Sequence, residues 1–178
     1  IPLTVGGGVR NLEDIKKLLH AGADKVSINT SAVLNREFVK QAAEKYGSST
    51  IVIAVDAKNI SDNKWEVFTH GGREATGIDA IEYCQEVANL GAGEILLTSM
   101  DRDGTKLGFD VDLLKRITSK IYIPVIASGG VGTLEHFSQG ILQGGANSVL
   151  AASVFHFGQL KIQDVKRYLA DKNIPVRI

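Results

Sequence analysis

The sequence predicts an α/β protein of the (β/α)8 barrel class, with about six βα units present in residues 1–178. Three observations predict it. Apolar strands alternate with amphipathic helices along the whole chain, the pattern of a parallel sheet covered by helices. Glycines cluster where strands hand over to helices. The chain also repeats itself. Gly7 to Thr30 can be laid on Gly129 to Ser153, with Gly7, Gly8, Val9, Leu12 and Glu13 matching Gly129, Gly130, Val131, Leu134 and Glu135. After one extra residue, Gly22, Ala23 and Val26 match Gly145, Ala146 and Val149. An offset of 122, then 123 residues implies duplication of a large unit rather than a solenoid. Two such units make a whole of roughly 245 residues, close to the ~250 of a (β/α)8 barrel. An open doubly wound sheet gives no reason for such a repeat.

Each element has its own signal. Ile1-Pro2-Leu3-Thr4-Val5 reads as a short buried strand running into Gly6-Gly7-Gly8. A chain that opens inside a core strand is expected to begin partway through its fold, with two βα units upstream, because an unpaired edge is an aggregation liability. An edge strand at a true N-terminus is the alternative. Leu12, Ile15, Leu18 and Leu19 fall at helical spacing between Asn11, a plausible N-cap, and Gly22. Lys25 to Asn29 is a strand, Phe38 to Tyr46 a helix closed by Gly47, and Thr50 to Val55 an apolar run of the kind buried on both faces. Lys64 to His70 and the residues after Gly72 suggest a hairpin. Helices are predicted over Ile78–Leu90, Leu113–Thr118, Leu134–Leu142 and Ile162–Lys172, and strands over Glu94–Met100, Tyr122–Ala127 and Ser148–Ala152.

Composition narrows the function. Twenty Lys+Arg balance 20 Asp+Glu, so no basic excess exists to neutralise phosphates of a nucleic acid. One Cys excludes an internal disulfide and a Cys-based zinc site. No apolar run reaches the roughly 18 residues of a membrane span, and no signal peptide is visible. A soluble protein of a reducing compartment, the cytoplasm, is expected, with no nucleic acid or membrane partner.

Gly6-Gly7-Gly8 and Gly129-Gly130 each follow a strand and precede a helix. Glycine allows close backbone approach, and the helix N-terminus behind it offers free N–H groups, so both turns suit a phosphate. Each is followed one unit later by a strand ending in small polar residues, Asn29-Thr30 and Ala152-Ser153. Two cradles related by duplication would lie on opposite sides of one barrel mouth and fit a substrate with a phosphate at each end. The plainer reading is that these glycines only make tight turns.

Asp56 ends a buried strand, well placed for general acid/base work at a barrel mouth; alternatively it caps the next turn. Asp101 and Asp103 follow the strand that ends near Met100; the plainer reading of Asp101 is that it only braces Arg102. The stretch Asp101–Asp112 is not a calcium loop, since its sixth position is Lys106 and its twelfth is Asp112. His20, His70, His136 and His156 share no metal-ligand spacing, and no metal or cofactor is expected. His20 and His136 read as solvated or packed helix residues, and Cys84 as core. Trp65 and Phe68 cover a ligand or only each other. Lys25 and Glu94 start two strands, far from the mouth. They line a polar passage if they point inward, where unpaired charge is costly, or face solvent if they point outward.

These residues together resemble the cyclase subunit of imidazole glycerol phosphate synthase, of histidine biosynthesis. The stretches that carry the resemblance are Thr4–Gly8, Gly22–Thr30, Ala54–Lys58, Gly91–Ser99, Asp101–Thr105, Ile126–Gly130 and Ala151–Phe157. The hairpin around Phe68–Gly77 and the ending Ser153–Phe157 separate it from the sister barrel, the phosphoribosyl-formimino isomerase of the same pathway. The resemblance implies a lyase that takes ammonia from a glutaminase subunit. It would convert a bisphosphorylated phosphoribulosyl-formimino aminoimidazole carboxamide ribonucleotide into imidazole glycerol phosphate and aminoimidazole carboxamide ribonucleotide. It implies Asp56 as one of two acid/base aspartates, the other on a first strand not present in residues 1–178. Gly8, Asn29 and Thr30 would hold one phosphate, and Gly104, Gly130, Ala152 and Ser153 the other. Asp103 would contact substrate near the reacting centre, and Lys25 and Glu94 would belong to a charged ring at the ammonia entrance. With half of the acid/base pair outside it, this chain alone is expected to be inactive. A non-catalytic, self-associating barrel fragment is a further expectation, and the isomerase the other enzyme reading.

Overall fold

The computed structural model describes residues 1–177. Six parallel strands form the frame: β1 (Thr4–Gly6), β2 (Lys25–Ile28), β3 (Ile51–Ser61), β6 (Glu94–Ser99), β7 (Val125–Ser128) and β8 (Ser148–Val149). They pair in the order β1-β2-β3-β6-β7-β8. β4 (Lys64–Thr69) and β5 (Glu74–Asp79) form an antiparallel extension on β3. The sheet curls into an incomplete (β/α)8 barrel of six parallel strands, with β1 and β8 as its open edges.

The helices are α1 (Leu12–His20), α2 (Thr30–Leu34), α3 (Arg36–Tyr46), α4 (Ala80–Asn89), α5 (Val111–Thr118), α6 (Leu134–Leu142), α7 (Ser153–His156) and α8 (Ile162–Asp171). The major ones start where a side chain satisfies free backbone donors. Asn11 accepts from Asp14 N, Asn35 from Phe38 N, and Asp79 from Ile81 N and Glu82 N. His136 is not merely packed: its Nδ1 accepts from Gly132 N at 3.0 Å and Thr133 N at 3.3 Å, closing the N-terminus of α6.

The core lies between the helices and the outer face of the sheet. Val26, Ile28, Ile53, Val55, Ile95 and Leu97 point outward and meet Ile15, Val39, Tyr83, Val87, Leu113 and Phe137. The opposite residues of the same strands, Ser27, Ala54, Asp56, Leu96, Thr98 and Ile126, are half-buried and line the concave side. The run over Ile51–Val55 is largely covered on both faces, as its apolarity suggests: inward Val52 is buried like outward Ile51, Ile53 and Val55, and only Ala54 is half-buried.

Several boundaries differ from the sequence reading: β8 ends at Val149 rather than Ala152, α4 begins at Ala80 rather than Ile78, and three others shift as follows. β1 begins at Thr4 and is largely exposed, while Ile1 and Leu3 lie in solvent. Leu3 is held by Asp24 through the Leu3 N to Oδ2 bond at 2.7 Å. β7 begins at Val125 rather than Tyr122, which is fully exposed; Pro124 just before it has no N–H for a ladder. β3 does not stop at Val55 but continues to Ser61 as one arm of the hairpin.

Candidate functional site

The C-terminal ends of the parallel strands gather the polar residues. A cavity of about 1000 Å³ follows the concave face up to this end, lined by Gly6, Gly7, Gly8, Asn29, Thr30 and His70 at the top and by Val52, Ala54, Leu96 and Ile126 below. Gly8, Asn29 and Thr30 therefore share one cavity, as the repeat suggests. Gly104, Gly130, Ala152 and Ser153 are not among its lining residues.

Asp56 sits where β3 is paired on two sides. It is in register with Thr98 of β6 and with Phe68 of β4. Asn29, at the end of β2, donates from Nδ2 to Asp56 Oδ2 at 2.8 Å. Burial pushes the Asp56 carboxyl above its ordinary value; the Asn29 bond opposes that rise and the negative charge of Asp103 adds to it. Asp56 is not itself among the cavity's lining residues; it lies beside Asn29, which is. A carboxyl moved toward neutrality is suited to taking up and releasing a proton. Asp56 caps no turn.

The two glycine turns look alike in sequence and differ in space. Gly8 has φ +72°, and a Cβ there would meet nothing within 4 Å. Gly130 has φ +103° and is buried, with a Cβ directed against the Gly108 carbonyl and 3.0 Å from Arg102 Cβ. Gly108 N donates to Gly130 O at 2.7 Å. The loop from Met100 to Asp110 thus lies over the second turn. It carries exposed Asp103 and Gly104, and Asp103 N is tied to Ser99 O at 2.9 Å.

The small polar strand ends open short helices that sequence periodicity could not reveal. Thr30 starts the five-residue α2 and Ser153 the four-residue α7, matching positions of the duplication. Thr30 Oγ1 also accepts from His70 N at 3.1 Å, so the β4–β5 turn closes over the first cradle. Sequence spacing gave His70 no such place.

Asp101 does not brace Arg102. Its Oδ2 accepts from Asn59 N at 2.7 Å and fastens the outer part of the hairpin, where Asn59 pairs with Trp65. Trp65 is buried and does not line the cavity; its Nε1 donates to Asp110 Oδ2 at 2.9 Å. Asp110 also accepts from Leu113 N at the start of α5. The sequence reading, which started this helix at Leu113, did not find this anchor. His20 is exposed and Cys84 buried, as expected.

At the opposite end of the strands, Lys25 and Glu94 point inward and form an ion pair. Their side chains are 28% and 21% exposed, so the pair lies partly out of water on the floor of the concave face. Among the described residues, no group of three or more His, Cys, Asp or Glu is placed to hold a metal ion. No helix among them is long and apolar enough to cross a membrane.

A parallel βα sheet with its glycine turns, polar strand ends and a partly desolvated carboxyl at the C-terminal rim has the site geometry of the (β/α)8-barrel enzymes. Within that class, a family model for histidine biosynthesis proteins matches residues 1–161. The chain belongs to this histidine biosynthesis family.

Proposed function

We propose that these six βα units belong to the cyclase of imidazole glycerol phosphate synthase. Ammonia delivered by a glutaminase subunit would condense with the bisphosphorylated ribonucleotide, releasing imidazole glycerol phosphate and the aminoimidazole carboxamide ribonucleotide. Asp56 serves as one of two proton-transferring carboxyls. The open cradle at Gly8 and Thr30 takes one phosphate, with Asn29 beside it. Gly104, Gly130, Ala152 and Ser153 take the other through the rim under the 100–110 loop, and Asp103 approaches substrate between them.

The observation that carries the cyclase reading over the isomerase is the inward Lys25–Glu94 pair. Placing two charges on an interior floor has a desolvation cost that a purely structural sheet avoids with apolar residues. A polar passage for ammonia through that floor gives the pair a purpose. An isomerase that rearranges one sugar needs no second route into its barrel.

The test compares glutamine and ammonium salts as nitrogen sources in the full-length enzyme with its glutaminase. Lys25→Met should depress the glutamine-dependent rate while leaving the ammonium-dependent rate near the parent's. Turnover of the isomerase substrate, with none of the cyclase substrate, would overturn the reading. The 178-residue chain alone supplies one of the two carboxyls, so binding without turnover is expected of it even in ammonium salts. Its unpaired β1 and β8 edges favour self-association, which light scattering would register.

A further inference from the structure

We propose that Asn29 is a positioning residue for Asp56, whose side-chain amide presents its N–H to the ionised carboxyl and, turned over, its C=O to the protonated one. The inference rests on the reading of Asp56 as a proton-transferring group. Two observations carry it. Asn29 Nδ2 donates to Asp56 Oδ2 at 2.8 Å. The other end of the same amide, Oδ1, is buried and has no hydrogen-bond partner. A buried acceptor left unmade carries its desolvation cost unreturned.

The chemistry of the two groups explains the arrangement. An ionised carboxylate only accepts, so it needs an N–H; a protonated carboxyl donates, so it needs an oxygen. Asparagine offers both from one planar group. Rotating its last torsion exchanges nitrogen and oxygen in nearly the same volume, and that torsion is broad and roughly two-fold. The backbone of Asn29 is meanwhile held, because its carbonyl accepts from Ala32 N at 2.9 Å and Val33 N at 3.2 Å. Only the side chain is free to turn. In the proton-transfer step, the Asp56 O–H bond breaks, the proton passes to a basic atom of the substrate, and the electron pair stays on the carboxylate. Asn29 then brings its N–H to the new charge. Proton uptake by Asp56 reverses both movements.

The neighbours leave this role to Asn29. Thr98 and Phe68, in register with Asp56 on β6 and β4, carry no charge. Asp103 adds negative charge from the 100–110 loop. Lys58, two residues further along β3, places its ammonium over the Phe68 ring at 5.6 Å.

The experiment follows Asp56 directly by the carboxyl ¹³C resonances of the aspartate-labelled 178-residue chain, with Asp56→Asn giving the assignment. Asn29→Leu removes both hydrogen-bonding ends; because the charge-assisted bond to the ionised form is the stronger of the two, the Asp56 midpoint should rise, by about one pH unit. Asn29→Asp keeps the shape and sets a second carboxyl beside the first, so one macroscopic midpoint of the pair should rise further. In the parent chain, the Asn29 side-chain amide resonances should titrate with the Asp56 midpoint. Unmoved midpoints in both variants, or Asn29 resonances that stay flat through the titration, overturn the proposal. The isosteric Asp variant keeps the test available if the Leu variant fails to fold. Since no substrate is involved, absence of cyclase turnover in the full-length enzyme would remove the reaction reading and leave this outcome standing or falling by itself.

Discussion

Replacing Gly130 with alanine should cost far more than the same change at Gly8, although the duplication makes the two positions equivalent. Both hold positive φ, which for alanine costs on the order of 1–2 kcal/mol. At Gly8 nothing else opposes the new methyl group. At Gly130 the Cβ is driven against the Gly108 carbonyl, with the carbonyl carbon at 2.8 Å and Arg102 Cβ at 3.0 Å. The loop must rise, losing the Gly108 N to Gly130 O bond, worth about 1 kcal/mol. Displacing packed backbone adds about 1–3 kcal/mol. The expected loss is about 4 kcal/mol at Gly130 against about 1–2 kcal/mol at Gly8. Urea unfolding followed by the fluorescence of Trp65, the single tryptophan, measures both. The Gly130 variant should also loosen the loop that carries Asp103, so a phosphate titration should weaken with it. Equal losses at the two glycines, within about 0.5 kcal/mol, would refute the reasoning.

Other outcomes are as definite. Asp56→Asn in the full-length enzyme should lower kcat by at least about 10²-fold while leaving substrate affinity largely intact. The same substitution should raise stability at neutral pH. The folded carboxyl is shifted upward, so the native state holds its proton longer than the unfolded chain does. Parent stability therefore falls as pH rises from the ordinary carboxylate value through the folded one, and the variant's advantage should vanish below that window in urea titrations at several pH values. For the largely buried Lys25–Glu94 pair, Lys25→Met and Glu94→Leu singly should each cost about 1–2 kcal/mol, and together less than the sum, in a double-mutant cycle. Cys84 is fully buried and its thiol is pushed up by that burial, so a thiol reagent should label it only as fast as the chain unfolds.

The duplication and the strand–helix alternation were enough to read a barrel, because both are carried by local residue patterns. The start of α1 was legible because Asn11 precedes a periodic run and capping is a local bond, whereas Asp79, the cap of α4, was read as part of the helix. Asp56 was legible as a strand-end carboxyl, but not as a residue in the middle of a longer strand. The continuation of β3 depends on pairing with β4, and the intervening Asn59–Ser61 look like any polar loop. α2 and α7 were missed because four or five residues do not complete a period. The contrast between Gly8 and Gly130 could not be read at all: it depends on the 100–110 loop lying over one turn, a tertiary event with no mark at either glycine. For Lys25 and Glu94 the residue types were informative and their direction was not. That direction comes from strand register, which places Glu94 opposite Val52.

The hairpin that leaves β3 is fastened toward its outer end. Asp101 accepts from Asn59, Asp110 accepts from Trp65, the cross-strand partner of Asn59, and Arg116 reaches Asn63 at the turn while its guanidinium lies over the Trp65 ring. A strut tied down at its far end is a fixed wall of the mouth and not a door. Asp56, at its root, thus stands at the foot of a braced wall, and substrate traffic has to be accommodated by other segments. An engineer seeking to widen the mouth would leave these three fastenings alone and vary the solvent-facing residues of the strut, such as Ile60, without disturbing the acid at its foot.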